Sequence, residues 1–144
     1  MLIRKARKED AAALAVLLGQ LGYPQDEASA AARIAQWDAD DSGAVLVADD
    51  GEVLGVIAVH VAPFFEREGS WGRIVALVVA EEARGRGVGA RLVAAAEDFA
   101  AARGCVRMEV TSSDRRTGAH RFYEGRGYES QAGRSSRFLR PLGG

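Results

Sequence analysis

Ile74-Val75-Ala76-Leu77-Val78-Val79, followed after four residues by Arg84-Gly85-Arg86-Gly87-Val88-Gly89-Ala90, is the stretch on which the fold of this 144-residue chain turns. Six consecutive apolar residues rich in Val read as a strand covered on both faces, hence an interior one. Three glycines and two arginines then open a helix that runs to about Arg103, with Val88, Leu92, Ala95, Ala96 and Phe99 on its inner face and Gly104 at its end. A helix N-terminus offers unpaired N–H groups and the positive end of the helix dipole, and glycine there lets the backbone approach phosphate oxygens closely. Arg84 and Arg86 add positive charge, so the run reads as an anion site rather than as a packing turn.

Outward from this stretch the elements alternate. Residues 106–111 read as a strand, 116–126 as a short helix closed by Gly127, and 135–139 as a last strand. Upstream, residues 44–48 and 53–61 are rich in Val, Ile and Leu, and Asp49-Asp50-Gly51-Glu52 between them carries the Asp-Gly chemistry of a tight antiparallel hairpin. Phe64 and Phe65, in the irregular stretch 63–70, are expected to pack on the sheet or to form a flap over a substrate. Residues 1–7 alternate weakly, as a strand does. Asp10 is placed to cap a helix running to about Leu21, with Leu14, Leu17, Leu18 and Leu21 on one stripe, and Gly22-Tyr23-Pro24 stops it. Residues 27–37 read as a second, Ala-rich helix. The class expected is α+β: a single domain over 1–144 with a central mixed sheet flanked by about four helices.

Composition limits the partners. With 48% hydrophobic and 27% charged residues, 144 residues are enough to close one core without a staple. One Cys and two His supply neither a disulfide nor the four ligands of a structural zinc site, so no metal and a reducing, cytoplasmic setting are expected. Nineteen basic against 20 acidic residues argue against nucleic acid. Arg4, Lys5, Arg7 and Lys8 before the apolar run 11–18 imitate a signal peptide, but Glu9 and Asp10 interrupt it and the run is too short to span a bilayer, so no membrane is expected. Exposed Phe64, Phe65 or Trp37 could serve a homodimer.

Three phosphate-binding templates compete for the glycine run. A Walker loop needs Lys-Ser or Lys-Thr after its last Gly, where this chain has Ala90-Arg91. The dinucleotide pattern is formally met by Gly85, Gly87 and Ala90 with Glu109 further on, yet only 54 residues follow Ala90 and the preceding strands read as hairpins. In the third, Arg84-x-x-Gly87-x-Gly89 resembles the R/Q-x-x-G-x-G/A pyrophosphate loop of GNAT-type N-acetyltransferases, placed after an apolar strand as in that family. Ala119-His120-Arg121-Phe122-Tyr123-Glu124-Gly125-Arg126-Gly127-Tyr128 resembles the family's A-x-x-F-Y-x-x-x-G-F/Y block.

The resemblance implies a splayed sheet holding acetyl-coenzyme A as co-substrate, with the acetyl group passed to a primary amine of a small molecule or peptide. It puts the main chain of Leu77, Val78 and Val79 on the pantetheine arm and acetyl carbonyl. The backbone amides from Arg86 through Gly87, Val88 and Gly89 to Ala90, with Arg84 alongside, fall on the pyrophosphate. Tyr123 falls where the family's tyrosine protonates the departing thiolate, a role that suits a phenol. The chain departs from the pattern at Val75, where many members carry a carboxylate, and at Arg116, where Asn is common. The usual base is therefore absent. His60, closing an apolar strand, is the first candidate to take the amine proton; Glu81, Glu82 and Glu109 follow, His120 is expected to face outward, and Cys105 reads as a small buried residue. Two other functions compete: an O-acetyltransferase on the same fold, and a regulatory module that binds coenzyme A with little turnover.

Overall fold

The Asp49-Asp50-Gly51-Glu52 turn folds as its composition dictates, with Gly51 at φ 109° and the Asp49 carboxylate accepting the Gly51 N–H at 2.8 Å. In the computed structural model, which describes residues 1–112 and 117–143, this turn joins two strands of a five-stranded sheet. The elements in chain order are β1 (Leu2–Lys5), α1 (Ala11–Leu21), α2 (Glu27–Asp38), β2 (Gly43–Asp49), β3 (Val53–Pro63), β4 (Ser70–Val79), α3 (Val88–Ala101), β5 (Cys105–Val110) and α4 (Thr117–Gly125). The chain divides into two compact units: Met1–Thr111, which holds the sheet and α1 to α3, and Ser112–Gly144, which holds α4.

Spatial strand order follows chain order, β1-β2-β3-β4-β5. The first three pairings are antiparallel and only β4 with β5 is parallel, α3 making the crossover. One parallel pair beside hairpins is not a doubly wound nucleotide fold, which disposes of the dinucleotide template. The core is made of Val47, Ile57 and Val59 from the sheet and Val88, Leu92, Val93, Ala96 and Ala100 from α3, all buried. The mixed sheet with four helices is the architecture expected from the sequence.

Helix boundaries follow local rules. α1 ends at Gly22, whose φ of 104° lets its N–H and that of Tyr23 return to the carbonyls of Gly19 and Leu18. α2 starts at Asp26, whose carboxylate accepts the Ser29 N–H at 2.8 Å.

Four expectations need correction. Asp10 does not cap α1. Its backbone is already helical, so its carboxylate turns back to accept the Arg7 N–H at 2.7 Å and two Arg4 guanidinium N–H groups at 2.8 and 2.9 Å. Arg4 also donates to Asp49 at 3.0 Å, and this part-buried cluster ties β1 to β2 and to the entry of α1. The Arg4 guanidinium holds the Asp10 carboxyl below the ordinary carboxylate range, against the effect of burial.

The apolar run of β4 is not covered on both faces: Ile74 and Val78 are buried, but Val75, which bulges out of the pairing with β3, is half exposed, and Ala76, Leu77 and Val79 are only half-buried. Phe65 is fully exposed rather than packed, whereas Phe64 has two guanidiniums against it, those of Arg67 and Arg107, each 4.9 Å from its ring centroid. Residues 135–139 form no strand; the stretch is exposed, without the partner strand that its apolar Phe138 and Leu139 would need. Arg116 falls outside the described residues.

Candidate active site

A fork opens in the sheet where β4 and β5 part. The last parallel partners are Ile74 and Val110, yet β4 continues for five residues, Val75 to Val79, of which Ala76 to Val79 stay paired to β3, with no ladder to β5. The partner of Ala58 is Ala76 and that of Val59 is Ile74, so Val75 is an extra, bulged residue. Half of its surface is exposed. Among the described residues no strand pairs with that side of β4 beyond Ile74, so its backbone N–H and C=O groups offer an edge to which an extended ligand could add as a further chain does. Leu77 and Val79 are half-buried and Val78 is buried, so their main chain rather than their side chains faces the opening.

The same strand delivers the chain to the start of α3. A short 3-10 turn at Glu81–Ala83, its two glutamates exposed, leads to Arg84, Gly85, Arg86 and Gly87. Gly87 is the N-cap of α3 at φ 77°, a left-handed conformation that a side chain rarely tolerates, and it contributes no side-chain cap. Among the described residues no side chain accepts the first-turn N–H groups of this 14-residue helix. A Cβ built at Gly87 or Gly85 would meet nothing within 4 Å, so the space in front of the helix is open. Arg84 is exposed, and Arg86 makes a 3.5 Å ion pair with Asp50 on the β2–β3 turn; both ends are solvated enough for an anion to recruit the guanidinium at small cost. Uncapped amides, open space and two arginines fit a pyrophosphate.

His60 lies on β3 opposite Gly43 and Arg73 in the register. Gly43 leaves the gap into which two rings fit: a Cβ there would come within 2.9 Å of Trp37 and 3.1 Å of the His60 ring. Trp37, from α2, meets His60 edge to face at 5.9 Å. Nε2 of His60 is 3.3 Å from the Asp40 carboxylate, which Ser42 N–H fixes from the other side and holds, together with His60, below the ordinary carboxylate range. The imidazole is thus oriented by Asp40 and Trp37, a pairing across 20 residues that no local pattern signals. His60 stands three residues along β3 from Ile57, the partner of Leu77, which is about 10 Å along the sheet.

Other candidates are placed as follows. Glu109 is exposed and opposite Arg73. Cys105 is half-buried with its thiol pushed up by burial, so it is a weak nucleophile at neutral pH. A shallow polar hollow lined by Lys5, Trp37, Asp38, Asp40, Asp41 and Arg103 lies against β2 and includes no residue of the fork. Among the described residues no cluster of metal-ligating side chains occurs, and no helix is long and apolar enough to cross a membrane.

In the second unit, Tyr123 is half-buried on α4, edge to face with Phe122 at 5.2 Å and with Tyr128 at 5.8 Å. The adjacent aromatics thus meet through their edges, and the Tyr123 carbonyl accepts the N–H groups of Arg126 and Tyr128 as α4 ends.

Comparison with known proteins gives the family and the fold. The acetyltransferase (GNAT) family matches residues 9–128, and the chain belongs to that family. An uncharacterized N-acetyltransferase of Bacillus subtilis (strain 168) is 32% identical over 143 residues, covering 92% of this chain and 93% of that protein. An aminoalkylphosphonate N-acetyltransferase of Salmonella typhimurium is 36% identical over 91 residues, but the match spans only 62% of this chain and 58% of the relative. Among solved structures, a GNAT family acetyltransferase of Staphylococcus aureus superposes with a TM-score of 0.81 at 26% identity over 98% of each chain. A protein described as a transcriptional regulator, from Bacillus halodurans, superposes with a TM-score of 0.85 at 25% identity over 96% of this chain and 98% of its own.

Proposed function

We propose that this chain transfers the acetyl group of acetyl-coenzyme A to a primary amine of a small molecule or peptide, directly within a ternary complex and as one domain. The observation that carries the reading is the succession of the β4–β5 fork and the uncapped, open N-terminus of α3 eight residues beyond its last β4 residue: one site for an extended amide-bearing arm, the next for its phosphates. Backbone amides from Arg86 through Gly87, Val88 and Gly89 to Ala90 hold the pyrophosphate, with Arg84 and Arg86 beside it. Main-chain groups of Leu77, Val78 and Val79 align the pantetheine arm and polarise the acetyl carbonyl.

Acetyl-coenzyme A supplies a thioester whose carbonyl carbon is electrophilic. As the amine nitrogen bonds to that carbon and the carbon–sulfur bond breaks, the Tyr123 phenol gives its proton to the departing sulfur. His60, oriented by Asp40, accepts the amine proton through water. With Val75 where a carboxylate would shorten the path, this proton transfer is the weak link of the site. An aminoalkylphosphonate, the acceptor named for the Salmonella relative, belongs in the first set of amines to be tried.

The test is to incubate the protein with acetyl-coenzyme A and an amine panel while following free thiol. Amine-dependent thiol release supports the transfer; binding of coenzyme A without it favours the second reading, a coenzyme A-binding module with little turnover, which Val75 and the likeness to the described regulator both favour. Thiol release with alcohols instead of amines would make it an O-acetyltransferase.

A further inference from the structure

The fork has a charged wall. Residues facing each other across paired strands share a face of the sheet, so His60, Arg73 and Glu109 project to one side. Their neighbours one position earlier on β4 and β5, Gly72 and Met108, turn to the opposite side, where Ala100 of α3 lies 3.0 Å from the position of a Gly72 Cβ. Trp37 touches His60, which places α2 over β2 and β3 on the first side and leaves Arg73 exposed on β4. Arg73 and Glu109 have backbones about 4.8 Å apart, as register partners do, and could pair. They do not: no ion pair joins them among the described residues, and the Arg73 guanidinium instead runs forward to donate to the Thr111 hydroxyl at 3.2 Å.

Thr111 follows the last residue of β5, so the guanidinium reaches one position beyond Ile74↔Val110, where the strands part. A hydroxyl acceptor leaves the fixed charge and most of its five N–H donors unspent. Further back along the same face, Arg107 follows as the partner of Trp71, its guanidinium over Phe64 with that of Arg67 on the ring as well. The side of the sheet that leads into the fork thus carries three guanidiniums, and the foremost stands at its closed end.

The geometry points to an acceptor of a particular class: an amine that carries an anionic group, carboxylate or phosphonate, on the same small molecule, with Arg73 taking the anion at the closed end of the fork. A guanidinium binds either anion through paired N–H donors, and the amine end of the molecule then lies on the Arg73 face of the sheet beside Val75, ahead of the edge from Leu77 to Val79 that the pantetheine arm takes. This orients the nitrogen toward the acetyl carbonyl without any side chain at Val75. The guanidinium also disfavours a protonated, uncharged-tailed amine in the same place. This assignment rests on the acetyltransferase reading above.

The experiment compares kcat/KM for an amino carboxylate, an aminoalkylphosphonate and a chain-matched neutral amine, in the parent, Arg73→Ala and Arg73→Lys. Thermal shifts with coenzyme A, alone and with each amine, run alongside. The expected result is a preference of the parent for one or both acidic amines, and the relative rates of the two identify the anion. Arg73→Ala loses that preference, by about ten- to a hundredfold and mainly in KM, as a hydrogen bond to a charged group predicts. Arg73→Lys restores part of it, and the neutral amine and the coenzyme A shift change by less than about twofold. No preference in the parent overturns the assignment, as does an equal loss on all three amines in Arg73→Ala, which would make Arg73 a strut between β4 and β5. If no amine is acetylated although coenzyme A binds, the transfer reading fails instead. The anion site is then decided by whether an acidic amine adds an Arg73-dependent shift to the coenzyme A-loaded protein: its presence supports the site and its absence overturns it.

Discussion

Replacing Gly87 by Ala separates the phosphate site from the stability of the fold. Gly87 sits at φ 77°, so a side chain there costs about 1–2 kcal/mol of backbone strain, and a Cβ meets no atom within 4 Å, so it adds no clash. At about 2.1 cal/mol/K per residue, 144 residues give an unfolding entropy near 0.3 kcal/mol/K, so the strain should lower Tm by about 3–7 °C. Gly22, at φ 104° and equally open, closes α1 and has no part in the loop; Gly22→Ala should show a similar loss. The variants part company when ligand is added. Coenzyme A at a hundredfold excess over its Kd stabilises the parent by about 2.7 kcal/mol, or about 9 °C on the same scale. Gly22→Ala should keep that increment in full, whereas the methyl group of Gly87→Ala occupies the space in front of the α3 amides and should reduce it to a third or less. NAD should shift none of them. Differential scanning fluorimetry with coenzyme A and NAD reads all of this. An undiminished coenzyme A shift in Gly87→Ala, or a shift with NAD alone, would refute the assignment of the loop.

Three further outcomes follow from the geometry. Tyr123→Phe should slow thiol release by about ten- to a thousandfold with an unchanged coenzyme A shift, the signature of a lost proton donor; the parent rate in this variant would make Tyr123 a packing residue. His60→Ala should lower the rate of thiol release by about ten- to a hundredfold with an unchanged coenzyme A shift, whereas the parent rate in this variant would move the proton acceptor to Glu109 or to water. Asp10→Asn should destabilise by about 1–3 kcal/mol at neutral pH, because it breaks a largely buried, hydrogen-bonded ion pair. Since Arg4 holds the Asp10 carboxyl below its ordinary value, that contribution is complete above about pH 5 and is lost as pH falls through the unfolded value near 3.9 and below. Melting curves of parent and variant should therefore converge in acid, and a constant gap down to about pH 2 would contradict the linkage.

The sequence alone determined whatever is decided within one turn or one hairpin. The Asp-Gly turn, the Gly22 stop and the glycine-led start of α3 depend on backbone conformations that only a few residue types favour, so their identities can be read in place. The two motif blocks gave the family for the same reason, since a phosphate loop is built from contiguous amides.

Tertiary structure decided the rest. That β4 bulges at Val75 and parts from β5 after Ile74 is set by strand register, which depends on how side chains far apart in the chain pack on a common face. Asp10 could be read as a helix cap only while Arg4 and Asp49, on two neighbouring strands, were out of view. Asp40 comes to His60 across 20 residues and Arg73 to Thr111 across 38, meetings that the sheet's pairing creates and no local periodicity encodes. Local conformational preference is a property of the residue, whereas register is a property of the assembled sheet, and the charged wall of the fork belongs to the second.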